Sequence, residues 1–371
     1  MDMKADPATI LHLITSLEKG GAQGLLIEIA SSENTKSKQH IIVSLKPLNT
    51  YTKITTLRGI KVLHLNVKFL GIFHTVRSLI KIINEYEPTI IQSWMYHADF
   101  LTILIKPFIG KVKLVWSFHH GDPKHNKNMS FFIAKVCSKF SSCIPQRIIA
   151  CSEITKDQHI KFGYDKEKII VINNGVDTKK FKYKPKIYTN ERAPVVGFIG
   201  RWHTIKGHEV FIKAASLVQK HFKDSEFIMI GTMLDTKNIE LKQMLKKYNI
   251  YEKTKLIGEE DTDIIRYYKM MDIYVCSSWS ESFSLTLVEA ALQGIPIVST
   301  DVGIASEIVE NKSLLSNVGD FKSLARSILT VLNSSEEKLN EQIYFSHAVA
   351  KQKFALDRMI SEYEEMYNSL S

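Results

Sequence analysis

The sequence predicts an α/β protein with two Rossmann-like domains, each built on a parallel sheet. Short apolar runs alternate with helical patterns along most of the 371 residues, which is typical of parallel α/β folds. The alternation stops once, in a Lys-rich stretch at 177–193, and then restarts with a second strand–glycine–helix opening. A chain of this length usually forms two domains, so the stretch is interpreted as a linker.

The first half of the chain contains seven apolar runs with the length of strands. Segments with helical periodicity, such as 76–85, separate several of them, and a glycine pair and an amphipathic helix at 22–31 follow the first run. The predicted strands are 10–15, 40–45, 62–65, 89–93, 113–118, 147–151 and 169–172.

The second half repeats the pattern and ends in helices. Its predicted strands are 195–199, 227–230, 254–257, 273–276 and 297–299. Its predicted helices are 208–221, 285–293, 321–333 and 348–369. Ligands of open α/β sheets bind at the carboxyl ends of strands, so two such domains facing each other predict a cleft between them.

The composition indicates a globular chain with a basic surplus. Lys and Arg outnumber Asp and Glu by 49 to 39, a formal charge of +10, while 44% of the residues are hydrophobic. The surplus suits nucleotides or an anionic membrane surface, and a solvated basic surface is the alternative. The basic residues are dispersed and form no RNA-binding motif, so no nucleic-acid partner is expected.

The sequence predicts a cytoplasmic protein, with peripheral contact at the inner face of the membrane left open. No apolar run reaches the length that spans a bilayer, and the N-terminus lacks the basic start and apolar core of a signal peptide. The four cysteines form neither a metal-type pair nor a disulfide framework: Cys137, Cys143, Cys151 and Cys276.

A pair of carboxylates frames one predicted helix start. Glu281 precedes the helix at 285–293 and Glu289 lies within it, while Ser284 is expected to cap the helix and Gly294 to end it. A helix N-terminus offers unpaired N–H groups and favours negative charge. The segment is therefore a candidate site for sugar or ribose hydroxyls together with a phosphate.

A second candidate is the loop from Gly200 to Gly207 after the strand at 195–199. Arg201 can contact a diphosphate with two hydrogen bonds, and Lys206 can act as a point charge beside it. The alternative is that both are surface cations before a helix. The glycine pair Gly20-Gly21 offers a weaker site of the same kind, without the spacing of a dinucleotide motif.

Two further patterns are open to more than one interpretation. His119 and His120 follow the buried-looking strand at 113–118, where a histidine can be structural or can face a ligand. Asp261-Thr262-Asp263 has a form that binds metal in another fold, but helix capping explains it better. No metal or cofactor is therefore predicted.

Several motifs together resemble the retaining GT-B glycosyltransferases of family 4. The Glu281-x7-Glu289 spacing and the following segment 290–298 look like the family signature. Further matching segments cover nearly the whole chain: 10–22, 172–177, 200–207, 256–258 and 300–303. The resemblance implies an acceptor-binding domain at 1–180 and a nucleotide-sugar-binding domain at 181–347, with a helix at about 348–371 packing back on the first.

The resemblance also implies a role for each candidate residue. Residues around the donor sugar and diphosphate would be Gly21, His120 (or His119), Arg201, Lys206 and Glu281. Residues around the nucleotide, or offering N–H groups at the helix start, would be Gly258, Ser282, Phe283, Ser284, Leu285 and Glu289. Ser282 and Ser284 stand where family members often have Gly, which puts the donor's identity in doubt more than the activity.

The implied reaction is metal-independent transfer of a hexose or N-acetylhexosamine with retention. A UDP-sugar donor is favoured over a GDP-sugar, and the acceptor would be a glycan or polyprenyl-linked intermediate of capsule or lipopolysaccharide synthesis. The chemistry favours attack on the face that the phosphate leaves, with Glu281 as a nucleophile the alternative. The other functions are a GT-B sugar-nucleotide epimerase and a non-catalytic nucleotide-sugar scaffold.

Overall fold

The computed structural model describes residues 8–18, 20–32, 38–47, 58–65, 71–125, 129–183, 192–258 and 263–370. The chain divides into two compact units. One comprises Met1–Gly175 together with Leu356–Ser371, and the other comprises Val176–Ala355. The main chain therefore passes from the first unit to the second and back again.

The first unit is a doubly wound α/β structure. Its strands are β1 (Thr9–Ile14), β2 (Gln39–Ser44), β3 (Lys61–His64), β4 (Ile90–Trp94), β5 (Lys113–Phe118), β6 (Arg147–Ala150) and β7 (Ile169–Val171). They form one parallel sheet in the order β3-β2-β1-β4-β5-β6-β7. The helices that lie between these strands along the chain are α1 (Gly21–Ser31), α2 (Ile72–Tyr86), α3 (Tyr96–Ile105), α4 (Met129–Phe140) and α5 (Glu153–Phe162).

The second unit repeats this architecture. Its strands are β8 (Val195–Ile199), β9 (Glu226–Ile230), β10 (Thr254–Ile257), β11 (Ile273–Cys276), β12 (Ile297–Thr300) and β13 (Leu315–Ser316), in the parallel order β10-β9-β8-β11-β12-β13. Its helices are α6 (His208–His221), α7 (Ile239–Lys247), α8 (Ile264–Met270), α9 (Leu285–Leu292), α10 (Ala305–Ile308), α11 (Phe321–Leu332) and α12 (Glu336–Lys353). The prediction of two parallel Rossmann-like sheets is confirmed.

The final helix of the chain, α13 (Leu356–Asn368), completes the core of the first unit. Tyr363 and Tyr367 are buried in a cluster with residues of β1 and β4, and the Tyr367 hydroxyl donates a hydrogen bond to Gln92. Lys38 forms an ion pair with Glu364. Residues at the end of the chain are thus part of the hydrophobic core formed by its beginning.

The predicted helix at 348–369 is wrong as a single element. The structure has two helices there, because α12 ends at Lys353 and α13 begins at Leu356. Phe354 is fully buried, and its carbonyl accepts a hydrogen bond from the Val176 N–H, so the main chain is fixed at the break. No Gly or Pro marks this break in the sequence.

A buried histidine pair in the first unit gives a test of this core. Trp94 Nε1 donates to His12 Nδ1 at 3.3 Å, so the other nitrogen of His12 must donate to His40 Nδ1, 2.8 Å away. Burial lowers the pKa of both rings, with His40 moving from 6.5 to about 4. The folded chain therefore holds these histidines neutral at pH values where the unfolded chain protonates them.

We expect the free energy of unfolding to fall as the pH drops from 6.5 toward 4. Each such histidine contributes a slope of up to about 1.4 kcal/mol per pH unit, because the unfolded state binds the extra proton. Above pH 6.5 the contribution is fully present. Urea unfolding at several pH values, followed by tryptophan fluorescence, should show a smaller acid slope in His40→Gln. The exposed His221→Gln serves as control and should keep the wild-type slope.

Candidate functional site

The strand order of the second unit reverses between β8 and β11. These neighbours are the first and fourth strands of that sheet along the chain, and the chain winds outward from them in opposite directions. Loops that leave the carboxyl ends of two such strands diverge and form the usual binding crevice of an open α/β sheet. The loop after β8 contains Arg201 and Lys206, and the loop after β11 contains Glu281.

The two loops are in direct contact at Gly207. Ser277 Oγ donates to the carbonyl oxygens of Gly207 at 3.0 Å and of Lys206 at 3.2 Å, and the Trp279 N–H donates to Ile205 O at 2.7 Å. Gly207 has a φ of +66°, and a side chain there would overlap the Ser277 carbonyl group. Only glycine allows this approach, which sets the position of Lys206 directly before it.

Gly207→Ala is therefore expected to destabilise the second unit by about 3–5 kcal/mol, through left-handed backbone strain and main-chain overlap. Chemical unfolding of the variant measures the loss. Gly24→Ala is the matched control, since an added Cβ at Gly24 meets no atom within 4 Å. That control should be neutral or slightly stabilising, because Ala is the better helix former. A Gly207→Ala variant as stable as wild type would contradict the described loop contact.

Lys206 and Glu281 meet at this contact although 75 residues separate them. Lys206 Nζ donates to Glu281 Oε1 at 2.6 Å, and Ser278 Oγ donates to the same oxygen at 2.6 Å. Only 22% of the lysine side chain and 11% of the glutamate side chain are exposed. The pair is thus held in one geometry, since a mostly buried ion pair with an added hydrogen bond has little freedom.

A third loop, after β12, closes the site from the other side. Thr300 Oγ1 donates to Ser278 O at 2.7 Å. Gly303 has a φ of +56°, and a Cβ there would lie 2.5 Å from Phe283 O and 3.0 Å from the Cβ of Glu281. The segment from Ser278 to Phe283 is therefore fixed by close contacts on both flanks.

The loop after β8 has a positive electrostatic environment. Arg201 is exposed, and His203 lies between it and Lys206 in the chain. Burial lowers the pKa of His203, and the Arg201 and Lys206 cations lower it further. An anion placed at this loop would therefore gain from both cations and from the adjacent helix start.

The expected side-chain cap at Ser284 is wrong. Ser284 does hold the N-cap position of α9, but its φ of 84° and ψ of 83° are left-handed, and its side chain makes no capping hydrogen bond. Its Oγ instead lies 3.3 Å from Thr286 Oγ1, which accepts from Tyr274 at 2.7 Å. The prediction failed because serine favours the cap in extended backbone, whereas this position has a conformation that suits glycine.

Glu289 lies in the second turn of α9, and Gly294 follows the helix with a φ of +69°. Tyr268 donates its hydroxyl to Glu289 Oε2 at 2.7 Å. Burial raises the pKa of Glu289, while the Tyr268 hydrogen bond and the Lys180 charge oppose the rise. Burial also raises the pKa of Tyr268, so its hydroxyl remains a donor and orients the carboxylate.

The other candidate residues of this unit lie at two places. Ser282, Phe283 and Leu285 flank Ser284, and the Phe283 ring packs in the core against Phe354 with ring centroids 5.2 Å apart. Gly258 instead follows β10 at the sheet edge, where a Cβ would lie 3.2 Å from Asp235 Oδ2. The structure therefore brings Lys206 and Glu281 into contact and leaves Gly258 two strands from β8.

The remaining candidates, Gly21 and His120, belong to the first unit. Gly21 is the first residue of α1, after the extended Gly20. His119 stacks on the buried Trp94 with ring centroids 4.8 Å apart, and burial lowers its pKa to about 3. His120 is exposed. The structure thus favours His120 as the histidine available to a ligand, since His119 takes part in packing.

Three residues of this site were not predicted from the sequence. Ser278 binds Glu281, Tyr268 orients Glu289, and Trp279 connects the loops through its N–H. Serine and tyrosine are common at such positions without a function, so no sequence pattern distinguishes them. Trp279 contributes a main-chain N–H, which every residue type except proline has, so its residue type gave no signal either.

The Asp261-Thr262-Asp263 motif is only partly covered. Asp261 and Thr262 lie outside the described residues. Asp263 caps α8, with its Oδ1 accepting from the Arg266 N–H at 3.3 Å. Helix capping therefore accounts for the described part of the motif.

Two family models match the chain, one on each half. The model of Glycosyltransferase Family 4 matches residues 20–180, and the model of Glycosyl transferases group 1 matches residues 179–346. The second match includes the whole Lys206–Glu281 site. Together the two models account for the chain from residue 20 to residue 346.

Known relatives agree with these models at low identity. The chain is 23% identical over 320 residues to the capsular polysaccharide biosynthesis glycosyltransferase CapM of Staphylococcus aureus, covering 81% of this chain and 82% of CapM. It is 26% identical over 214 residues to the lipopolysaccharide core biosynthesis mannosyltransferase LpsB of Rhizobium meliloti, covering 54% of this chain and 60% of LpsB.

A solved structure of similar fold is Anabaena HepE in complex with UDP-glucose. It superimposes with a TM-score of 0.81 at 23% identity, covering 97% of this chain and 99% of HepE. At that identity the likeness shows the fold, which is GT-B. The two family models show that the chain belongs to the retaining glycosyltransferases of group 1 and family 4 and is a glycosyltransferase enzyme.

Proposed function

We propose that this enzyme transfers a hexose or N-acetylhexosamine from a UDP-sugar to a glycan or lipid-linked acceptor in bacterial surface polysaccharide synthesis. The observation that carries the proposal is the Lys206–Glu281 pair at the reversal point between β8 and β11. Lys206 is proposed to neutralise the leaving diphosphate, and Glu281 is proposed to accept hydrogen bonds from the hydroxyls of the sugar. The HepE complexes with UDP and with UDP-glucose support UDP as the nucleotide of the donor. The names of CapM and LpsB support a role in the synthesis of surface polysaccharide.

In the proposed mechanism, Arg201 and Lys206 bind the diphosphate of the donor. As the bond between the anomeric carbon and the phosphate oxygen breaks, negative charge develops on that oxygen, and both cations and the N-terminus of α9 stabilise it. The acceptor hydroxyl attacks the same face, and the leaving phosphate oxygen takes its proton. Configuration is thereby retained, and the products are a nucleoside diphosphate and the extended glycan.

Glu281 is proposed to position the donor sugar and not to attack it. Its Oε1 already accepts hydrogen bonds from Lys206 and Ser278. Such bonds stabilise the carboxylate and make it a weaker nucleophile, while they fix its orientation for sugar hydroxyls. Glu289, oriented by Tyr268, is proposed to accept hydrogen bonds from the ribose. Gly258 is proposed to lie by the base, and Gly21 and His120 to contact the donor from the first unit.

A donor screen tests the proposal. Calorimetric titration with UDP-, GDP-, ADP- and dTDP-linked sugars is expected to show the tightest binding for a UDP-sugar. A GDP-sugar preference would correct the base, and a chain that binds none of them would overturn the proposal. Incubating the bound donor without acceptor distinguishes a transferase from an epimerase, since transfer requires an acceptor and epimerisation does not. Transfer is also expected to survive a chelator.

A further inference from the structure

The helix α4 of the first unit has an apolar face that points away from the core. Its inward residues, Ala134, Cys137 and Ser138, are buried. The opposite face has apolar side chains at spacings of three and four residues: Met129, Phe132, Val136 and Phe140. Met129 is 59% exposed, Phe132 66% and Phe140 40%. A helix on the surface of a globular domain normally has charged residues on that face.

The stretch of sequence that contains this helix is strongly basic, although Asp165, whose N–H donates to Ser141 Oγ, lies just beyond the end of α4. Between residues 100 and 152 the sequence has eight Lys and Arg and one acidic residue, Asp122. The other 318 residues have 41 basic and 38 acidic side chains, so this segment supplies +7 of the net +10. Lys135 and Lys139 are exposed beside the apolar face of α4 itself.

One basic residue of the preceding segment, Lys113, lies beside the loop that follows α4. The loop after α4 runs beside the start of β5, because Gln146 Oε1 accepts from the Leu114 N–H at 2.6 Å and the Gln146 N–H donates to Leu114 O at 2.8 Å. Lys113 directly precedes that contact. Phe108, just upstream, is 63% exposed. Exposed aromatic and cationic side chains therefore occur close together in the sequence that leads to this helix.

We propose that the outer face of α4 docks on an anionic membrane surface. Charge complementarity selects this occupant: the lysines match phosphate head groups, while phenylalanine and methionine side chains can enter the head-group boundary and the lysine stems can follow them. A second copy of the chain would present the same positive charge and be repelled. Among the described residues, no helix combines the length and the hydropathy that a membrane span requires.

The inference does not depend on the transfer reaction, so sedimentation with vesicles tests it without donor or acceptor. Wild type is expected to bind vesicles containing equal parts of phosphatidylglycerol and phosphatidylcholine, to bind pure phosphatidylcholine far more weakly, and to dissociate as salt is added. The pair Phe132→Ser and Phe140→Ser should weaken binding about tenfold or more. The pair Lys135→Glu and Lys139→Glu should weaken it similarly and flatten the salt dependence.

Matched controls lie on the second unit. Tyr344→Ser removes a side chain that is 78% exposed, and the pair Lys220→Glu and Lys223→Glu reverses two exposed charges. Both should bind vesicles like wild type, and thermal unfolding should show every variant folded. The proposal is overturned if wild type does not bind anionic vesicles or if the α4 variants bind as well as the controls. It is also overturned if the double substitution Phe132→Ser and Phe140→Ser instead dissociates a dimer in solution.

Discussion

Lys206→Ala is expected to reduce turnover by about 10³-fold or more, because the developing charge on the diphosphate loses its fixed cation. UDP and UDP-sugar should both bind more weakly, since the lysine is proposed to contact the part they share. The variant also leaves the mostly buried Glu281 carboxylate with Ser278 but without its ion pair, so a modest loss of stability is expected. Turnover with radiolabelled donor and calorimetry with UDP measure the two effects.

The control for this variant is Lys213→Ala. Lys213 forms a similar ion pair with Glu209 at 2.8 Å, but within α6 and outside the loop. Turnover in that variant should match wild type. If Lys206→Ala retained wild-type turnover, the diphosphate role of this loop would be excluded, and the ion pair would be structural.

Glu281→Ala is the second large effect, with transfer expected to fall about 10²–10³-fold because the fixed hydrogen-bond acceptor for the sugar is lost. UDP itself should bind nearly as in wild type, since the carboxylate is proposed to contact sugar and not nucleotide. The affinity for UDP-sugar should therefore fall below that of wild type while the affinity for UDP stays nearly unchanged. This difference between the two ligands distinguishes Glu281 from Lys206, because loss of Lys206 is expected to weaken the binding of both UDP and UDP-sugar.

Glu281→Gln refines the result. The amide keeps an oxygen that can accept from Ser278 and from a sugar hydroxyl, but it loses the charge that pairs with Lys206. Intermediate transfer is expected, and a small nucleophile or azide should not rescue either variant if Glu281 positions the sugar. Chemical rescue with a trapped glycosyl adduct would instead establish a covalent role for this carboxylate.

Much of the fold could be predicted because burial and local pattern agree. The apolar runs at β5, β8, β10 and β11 have the same bounds in sequence and structure. The two-residue β13 was missed because it is too short to show a period, and α3 because its buried residues surround much of the helix and leave no polar face. Helix α12 was missed as a separate element for a similar reason, because its apolar residues do not line one face of the helix.

The site was less accessible from the sequence than the fold. The candidate residues were found because they stand near helix starts and strand ends, but the contact between Lys206 and Glu281 depends on the pairing of β8 with β11. At Ser284 the residue type itself gave a wrong prediction. Its residue type predicts a side-chain cap, and tertiary contacts place it in a left-handed conformation that no local rule indicates.

The return of α13 to the first unit has a consequence for how this protein is synthesised. The second unit is contiguous, so it can fold as soon as Ala355 is available, whereas the first unit lacks part of its core until Leu356–Ser371 are made. Synthesis of the first unit therefore begins before that of the second unit and is completed after it. A premature stop shortly after Ala355 would yield a chain whose second unit folds normally while exposed apolar residues around β1 and β4 mark it for aggregation or proteolysis.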